Sequence, residues 1–278
     1  MKTLKLACLF IGIPFIGLAQ KDTILPKKNV LNATVSYQSK LHYFGRTDSL
    51  QSAGFFPAIG LESKHGLYAN SSFIFVNNSS SSFNYTGTII EGGYKFPENK
   101  NFSGNIFYSQ FLYKDNSQLV QSAIKSQTGI NLVYNNKIVN VNGGADAKFS
   151  NRTDVGVTAG LDHLFIYLFP NTKKAIAINP SAYAYAGTQN FTNTYYKRQQ
   201  VLGIETGPVR QVTEEVNRFK VLAYEFSMPV VFVAGKFNAS FTGSYVLPQN
   251  LIAVANRPDL TERGRNMFYF TTALGVRL

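Results

Sequence analysis

Apolar and polar side chains alternate along most of this chain with a period of two. From Lys236 to Leu247, KFNASFTGSYVL, one face of an extended strand carries Phe237, Ala239, Phe241, Gly243, Tyr245 and Leu247. The other carries Lys236, Asn238, Ser240, Thr242 and Ser244, because neighbouring strand side chains point to opposite sides. Strands in soluble sheets average about 5 to 6 residues, and this alternation runs well beyond that. IVNVNGGADAKF repeats it, with Val139, Val141, Ala145, Ala147 and Phe149 opposite Asn140, Asn142, Asp146 and Lys148. MFYFTTALGVRL sets Phe268, Phe270, Leu274, Val276 and Leu278 against Tyr269, Thr271, Ala273 and Arg277, and Leu31 to Tyr37 alternates against Thr34, Ser36, Gln38 and Lys40. In these strands the charged residues keep one parity. A charge facing lipid at the bilayer midplane costs about 2–4 kcal/mol, so the charged face is the lumen face of a membrane barrel.

Twelve stretches carry strand character: 30–44, 53–64, 66–77, 83–96, 102–114, 126–135, 137–149, 152–166, 174–187, 217–233, 236–248 and 266–278. Tilted strands of about 9 to 11 residues span a membrane, and only a closed barrel satisfies their backbone groups there. The expected fold is therefore all-β, a closed antiparallel transmembrane barrel of about twelve strands, with ten or fourteen as alternatives. Connection lengths agree with the alternation of short periplasmic turns and long extracellular loops. Short ones fall at His65, Pro97–Asn101, Asn136, Pro170–Lys173 and Gly235. Long ones fall at Gly45–Ser52, Asn78–Ser82, Asp115–Lys125, Thr188–Val216 and Gln249–Arg265, and Ser150–Asn151 is the exception. Pro57, Pro180 and Pro229 lie within assigned strands and call for bulges or altered limits, since proline cannot donate to a ladder. YTGTIIEGGYKF and FSGNIFYSQFLYK lack a clean parity.

Before the first strand, MKTLKLACLFIGIPFIGLAQ has Lys2 and Lys5 ahead of an apolar run and a small-x-small end at Gly17-Leu18-Ala19. It reads as a signal peptide over residues 1–19, with Cys8 inside its apolar run and the barrel over 20–278. A chain starting at Gln20 has no cysteine, and no later apolar run approaches the roughly 18 residues of a membrane helix. Formal charge is +12, or +10 without Lys2 and Lys5. For an exported chain that excess points to anionic lipid or anionic solutes rather than nucleic acid. Phe and Tyr, 23 and 16 of them with no Trp, supply material for interfacial girdles.

The layout from GLAQ to an aromatic final strand resembles outer-membrane β-barrels of the Bacteroidetes group. The segments YFGR at 43–46, INPSAYAYAGTQNF at 178–191 and YEFSMPVVF at 224–232 look like strand ends of small porin-like barrels of that group. Many such barrels end in Phe or Trp, whereas this chain ends in Leu278. The resemblance implies a Gram-negative outer membrane, insertion by the barrel assembly machinery, and no transferable functional residue.

By parity the lumen candidates are Lys40, Glu62, Asp146, Lys148, Lys220 and Glu225, with Lys64, Glu91, Lys95, Lys236 and Arg277 beside them. A barrel of about eight strands is filled by side chains and one of about sixteen holds a channel. Twelve lies between, and both a narrow anion-favouring pore and a plugged, salt-bridged lumen fit. Loop 188–216 offers Tyr195, Tyr196, Lys197, Arg198 and Arg210 as a contact patch for sugar, lipopolysaccharide or a protein, or as a solvated loop folded into the mouth. NSQLVQSAIK has Leu119, Val120, Ala123 and Ile124 at helical spacing after a capping residue.

His42, His65 and His163 are the only histidines. Asp162 cannot orient His163, because adjacent strand residues face opposite ways. No nucleophile elbow, metal-spaced cluster or phosphate loop is present, so neither catalysis nor a cofactor is expected. Two functional readings stand. One is a narrow passive channel for small anionic solutes, and the other is a non-conducting subunit of a larger outer-membrane complex. A soluble secreted sandwich is the alternative at fold level. Expected partners are outer-membrane lipid, lipopolysaccharide, the barrel assembly machinery and other outer-membrane proteins, with no nucleic acid.

Overall fold

The computed structural model describes residues 28–47, 50–97, 101–114, 123–190, 218–252 and 262–278. The signal sequence, the loop candidates Tyr195, Tyr196, Lys197, Arg198 and Arg210, and most of the helical spacing at 116–125 lie outside these residues. The strand segments are β1 Val30–Gln38, β2 Ala53–Glu62, β3 Leu67–Asn78, β4 Ser81–Lys95, β5 Phe102–Tyr113, β6 Ser126–Tyr134 and β7 Asn140–Phe149. Then come β8 Thr153–Asp162, β9 Phe165–Leu168, β10 Lys174–Ile178, β11 Ser181–Gly187, β12 Lys220–Ala234, β13 Phe237–Pro248 and β14 Met267–Arg277.

All pair antiparallel in one sheet that closes through β11 on β12 and β14 on β1. β8 and β9 are halves of one strand, as are β10 and β11: Asp162 opposes Ser181 and Phe165 opposes Ile178 in a single register. The wall is therefore a closed twelve-strand meander, and each expected stretch contains one strand. A single closed sheet has no second sheet to pack on, which removes the sandwich alternative. Closure also leaves the apolar parity facing outward. Leu31, Val35, Ile59, Leu61, Phe73, Ile90, Ile106, Leu132, Val155, Phe226, Phe241 and Leu274 are all exposed on the outer surface. So broad an apolar belt is stable only against lipid. The chain is an integral membrane β-barrel of the outer-membrane type.

The prolines explain the breaks. Pro57 faces lipid, and the β2–β3 ladder lapses at Phe56 and Pro57 and resumes in the same register. Pro180 divides β10 from β11 where β12 presents Pro229, whose carbonyl accepts the Asn179 N–H at 3.0 Å. Two residues without an N–H thus share one gap, and β12 itself runs on with Pro229 opposite Thr242. Two bulges explain the mixed parity. Thr86 is extra between Tyr85 and Gly87 on β4, and Leu222 is extra between Val221 and Ala223 on β12. The second puts Lys220 and Glu225, which differ in sequence parity, on the same side of the wall. β5 alternates regularly, but its inner face carries Phe107 and Phe111, so apolarity does not separate its sides.

Short connections gather at the end where β1 begins and β14 finishes, the periplasmic side. There Gly66 and Gly235 turn the chain at positive φ, and Gly235 has no neighbour that an added Cβ would meet, so conformation alone requires glycine. At the other end β3 and β4 are joined by Ser79 and Ser80 alone. That is a second short extracellular connection where a long one was expected.

Candidate functional site: the strapped lumen

Between β1 and β2 the chain does not stay outside the barrel. Residues 41–46 fold inward as a strap whose tip is a hairpin, with Tyr43 and Arg46 exchanging backbone hydrogen bonds at 2.8 and 3.0 Å. YFGR is therefore the strap tip, not a strand end. Gly45, at φ 79°, makes that turn possible and lies against the Pro248 ring. Leu41 and Tyr43 are buried with Phe56, Ile74, Val76, Ile89 and Phe111 of β2 to β5 and with Ala123 and Ile124. Across the lumen Tyr183, Tyr185, Leu222, Ala223, Val246, Met267 and Tyr269 form a second apolar cluster on β11 to β14. Phe44 packs on both, its ring 4.5 Å from Tyr43 and 4.7 Å from Tyr185.

Polar bonds hold the strap down. The Arg46 guanidinium donates from Nε to Glu262 at 3.1 Å, from Nη1 to the Phe44 and Leu222 carbonyls, and from Nη2 to the Gln249 carbonyl at 3.0 Å. Both charged side chains are 2% exposed. Glu262 also accepts the Ile252 N–H, which ties the segments flanking the β13–β14 connection to the strap. His42 is buried edge-on to Tyr269 and accepts the Gly45 N–H on Nδ1 at 3.2 Å. Desolvation lowers its pKa to about 4, so it is neutral.

Below the strap the charges are paired or hydrogen-bonded. Glu62 meets Lys95 at 3.1 Å, and Lys95 also lies over the Tyr68 ring. Glu91 accepts from Ser109, while Asn131, Asn105 and Tyr68 form a chain beside it. Asp146 pairs with Lys148 over Gly156, where a Cβ would stand 2.6 Å from the carboxylate. Asp154 accepts from Thr188 and the Asn190 N–H. Asp162 accepts from Asn140 and Asn142, and Asn179, with its amide nitrogen turned inward, donates a third bond at 2.9 Å. Glu225 accepts from Tyr269 at 2.7 Å and from Ser227.

Of the sequence candidates, Glu62, Asp146, Lys148 and Glu225 face the lumen. Lys40 sits just past β1, its ammonium donating to the Phe268 carbonyl at 3.0 Å, and Lys220 opens β12 at the extracellular rim. His163 packs on Phe165 while Asp162 points inward, so the two form no catalytic pair. Among the described residues no cluster has the make-up of a metal site. Sequence reasoning missed Arg46 and Glu262, which lie in connections with no periodicity. A lone arginine after an aromatic pair was the only signal.

One sector of the wall lies outside both apolar clusters. Neither apolar cluster includes a residue of β6, β7 or β8. Their inner faces carry Gln127, Gly129, Asn131, Asn142, Gly144, Asp146, Lys148, Gly156, Thr158 and Gly160. That is a predominantly polar wall, whose four glycines lie under Phe107, Asn131, Asp146 and Tyr183.

No family model and no curated protein matches the chain. Solved outer-membrane barrels are similar in shape. A KdgM porin has a TM-score of 0.47 at 9% identity over 89% of this chain and 98% of its own. A NanC porin has 0.44 at 10% over 89% and 100%. LpxR from Salmonella typhimurium has 0.49 at 10% over 88% and 99%. At such values the likeness extends to barrel architecture alone, and the functional reading rests on the lumen itself.

Proposed function

We propose that this protein is a narrow passive channel for small polar solutes, whose path follows the β6–β8 wall past the strap. The observation that carries it is the division of the lumen. One side is filled by the strap and its two apolar clusters, and the other is lined mainly by hydrogen-bonding side chains. The lining does not support a preference for anions. Arg46, Lys95 and Lys148 stand against Glu62, Glu91, Asp146, Asp154, Asp162, Glu225 and Glu262 in the interior, and the surplus basic residues lie at the rims. A wall with this balance favours neutral or cationic solutes.

Planar-bilayer recording under a salt gradient tests this reading. Small discrete steps are expected, with a reversal potential at zero or on the cation side. Thr158→Phe should shrink them and Phe44→Ala should enlarge them. A barrel shown folded by heat-modifiable gel mobility, yet silent in all three forms, would leave the non-conducting subunit as the reading.

A further inference from the structure

Part of the basic surplus is gathered at the periplasmic end. Among the described residues, Lys64, Lys137, Lys173 and Lys236 occupy four of the five short periplasmic connections, Lys174 opens β10 beside Lys173, and all five side chains are exposed. No Asp or Glu lies among the described residues of these turns, and none of the three ion pairs of the described residues involves these lysines. The extracellular end also exposes Lys114, Lys125, Arg152, Arg263 and Arg265, while Asp154 and Glu262 there are buried.

Apolar side chains accompany each lysine. Lys236 precedes Phe237, 67% exposed, and Lys137 precedes Ile138, 81% exposed. Lys64 lies between the outward Leu61 and Leu67, and Lys173 and Lys174 follow Phe169 after a turn of three residues. The turns are too short to carry the lysines far from these residues. Lysine stems laid along such an apolar girdle bring their ammonium groups to headgroup depth.

We propose that this rim is a collar that binds the phosphate groups of anionic phospholipids in the periplasmic leaflet. A soluble polyanion would satisfy the charge but would leave the accompanying Leu, Ile and Phe side chains in water, whereas a membrane covers both. Attraction of this kind falls off within a Debye length and weakens with salt. The inference depends on the barrel's placement in the membrane and not on whether it conducts, so the bilayer recording and the collar can fail separately.

Native mass spectrometry of the detergent-solubilised barrel provides the test, with phosphatidylglycerol and phosphatidylcholine added in equal amounts. The unmodified protein should retain phosphatidylglycerol preferentially. A variant with Lys64, Lys137, Lys173, Lys174 and Lys236 all changed to Gln should retain it roughly tenfold less. A control with Lys114, Lys125, Arg152, Arg263 and Arg265 changed to Gln should behave as the unmodified protein does. Equal retention by all three would overturn the proposal. So would displacement of the lipid by inorganic phosphate or polyglutamate at low millimolar concentration, which would assign the lysines to a soluble anion. If the five-lysine variant does not fold, the unmodified protein decides: the preference should disappear between low and high salt, and a salt-independent preference counts against the collar.

Discussion

Arg46→Met should release the strap without unfolding the barrel. The substitution keeps most of the side-chain volume but removes the ion pair to Glu262 and the donors to three carbonyls. Glu262, 2% exposed at its side chain, is then left buried without its cation. Breaking a buried pair from one side costs about 3–5 kcal/mol, because the remaining charge keeps its desolvation penalty. The strand ladders contribute nothing to this bond, so the loss falls on the local equilibrium between docked and open strap. A chain lacking its signal segment has no cysteine, which permits a clean reporter: Leu41→Cys in the buried strap, labelled with a maleimide. At tenfold per 1.4 kcal/mol, labelling should speed up by roughly two to three orders of magnitude in the Arg46→Met background, with heat-modifiable mobility unchanged. The double variant Arg46→Met/Glu262→Leu removes both charges, and its labelling should fall back toward that of the parent. An unchanged rate in the single variant, or equal rates in single and double, would refute the claim that this pair holds the strap.

Three other outcomes follow from the same structure. His42 is neutral when docked, with a pKa of about 4 against an ordinary 6.5. The open state therefore binds more protons between those values, and docking weakens as pH falls from about 6.5 to about 4, by roughly 3 kcal/mol in all. Leu41→Cys labelling, divided at each pH by the labelling rate of a fully exposed cysteine to remove the loss of thiolate, should accelerate over that window, and His42→Phe should flatten the normalised profile. A Cβ on Gly160 would stand 2.1 Å from the Tyr183 ring, so Gly160→Ala should lower the urea midpoint, equivalent to about 1–3 kcal/mol of overpacking. Phe241 faces lipid and Thr242 the lumen, so Phe241→Arg should cost about 2–4 kcal/mol in vesicle-refolding titrations and Thr242→Arg distinctly less. Equal costs would mean that the assignment of faces is wrong.

The wall was legible in the sequence because a membrane barrel imposes one rule on every strand: apolar outward, with a period of two. Phe237 to Leu247 and Val139 to Phe149 obey it and were placed correctly. The rule blurred where the lumen itself is apolar, as at Phe107 and Phe111 of β5, and where a bulge shifts the phase, as at Thr86 and Leu222. The strap was not legible for a different reason. Its residues take their positions from contacts with distant parts of the chain, Arg46 with Glu262 and Phe44 with Tyr185, and no local periodicity records such pairings.

That distinction bears on what the lumen does. Twelve strands enclose more space than their own side chains fill, and large residues are set over glycines to reduce it: Tyr183 over Gly160, Phe107 over Gly129, and the Asp146–Lys148 pair over Gly156. This device works on a wall of regular strands, because each glycine lies beside a neighbour long enough to cover it. It cannot fill the axis of the barrel, which no wall residue reaches unaided. The strap supplies that missing element from outside the sheet. Because Arg46 anchors it at only one end of the lumen, how far it fills the barrel is set by a few bonds in connecting segments and not by the strand ladders. Strap substitutions should therefore change conductance while leaving barrel stability nearly constant, and wall substitutions such as Gly160→Ala should change both.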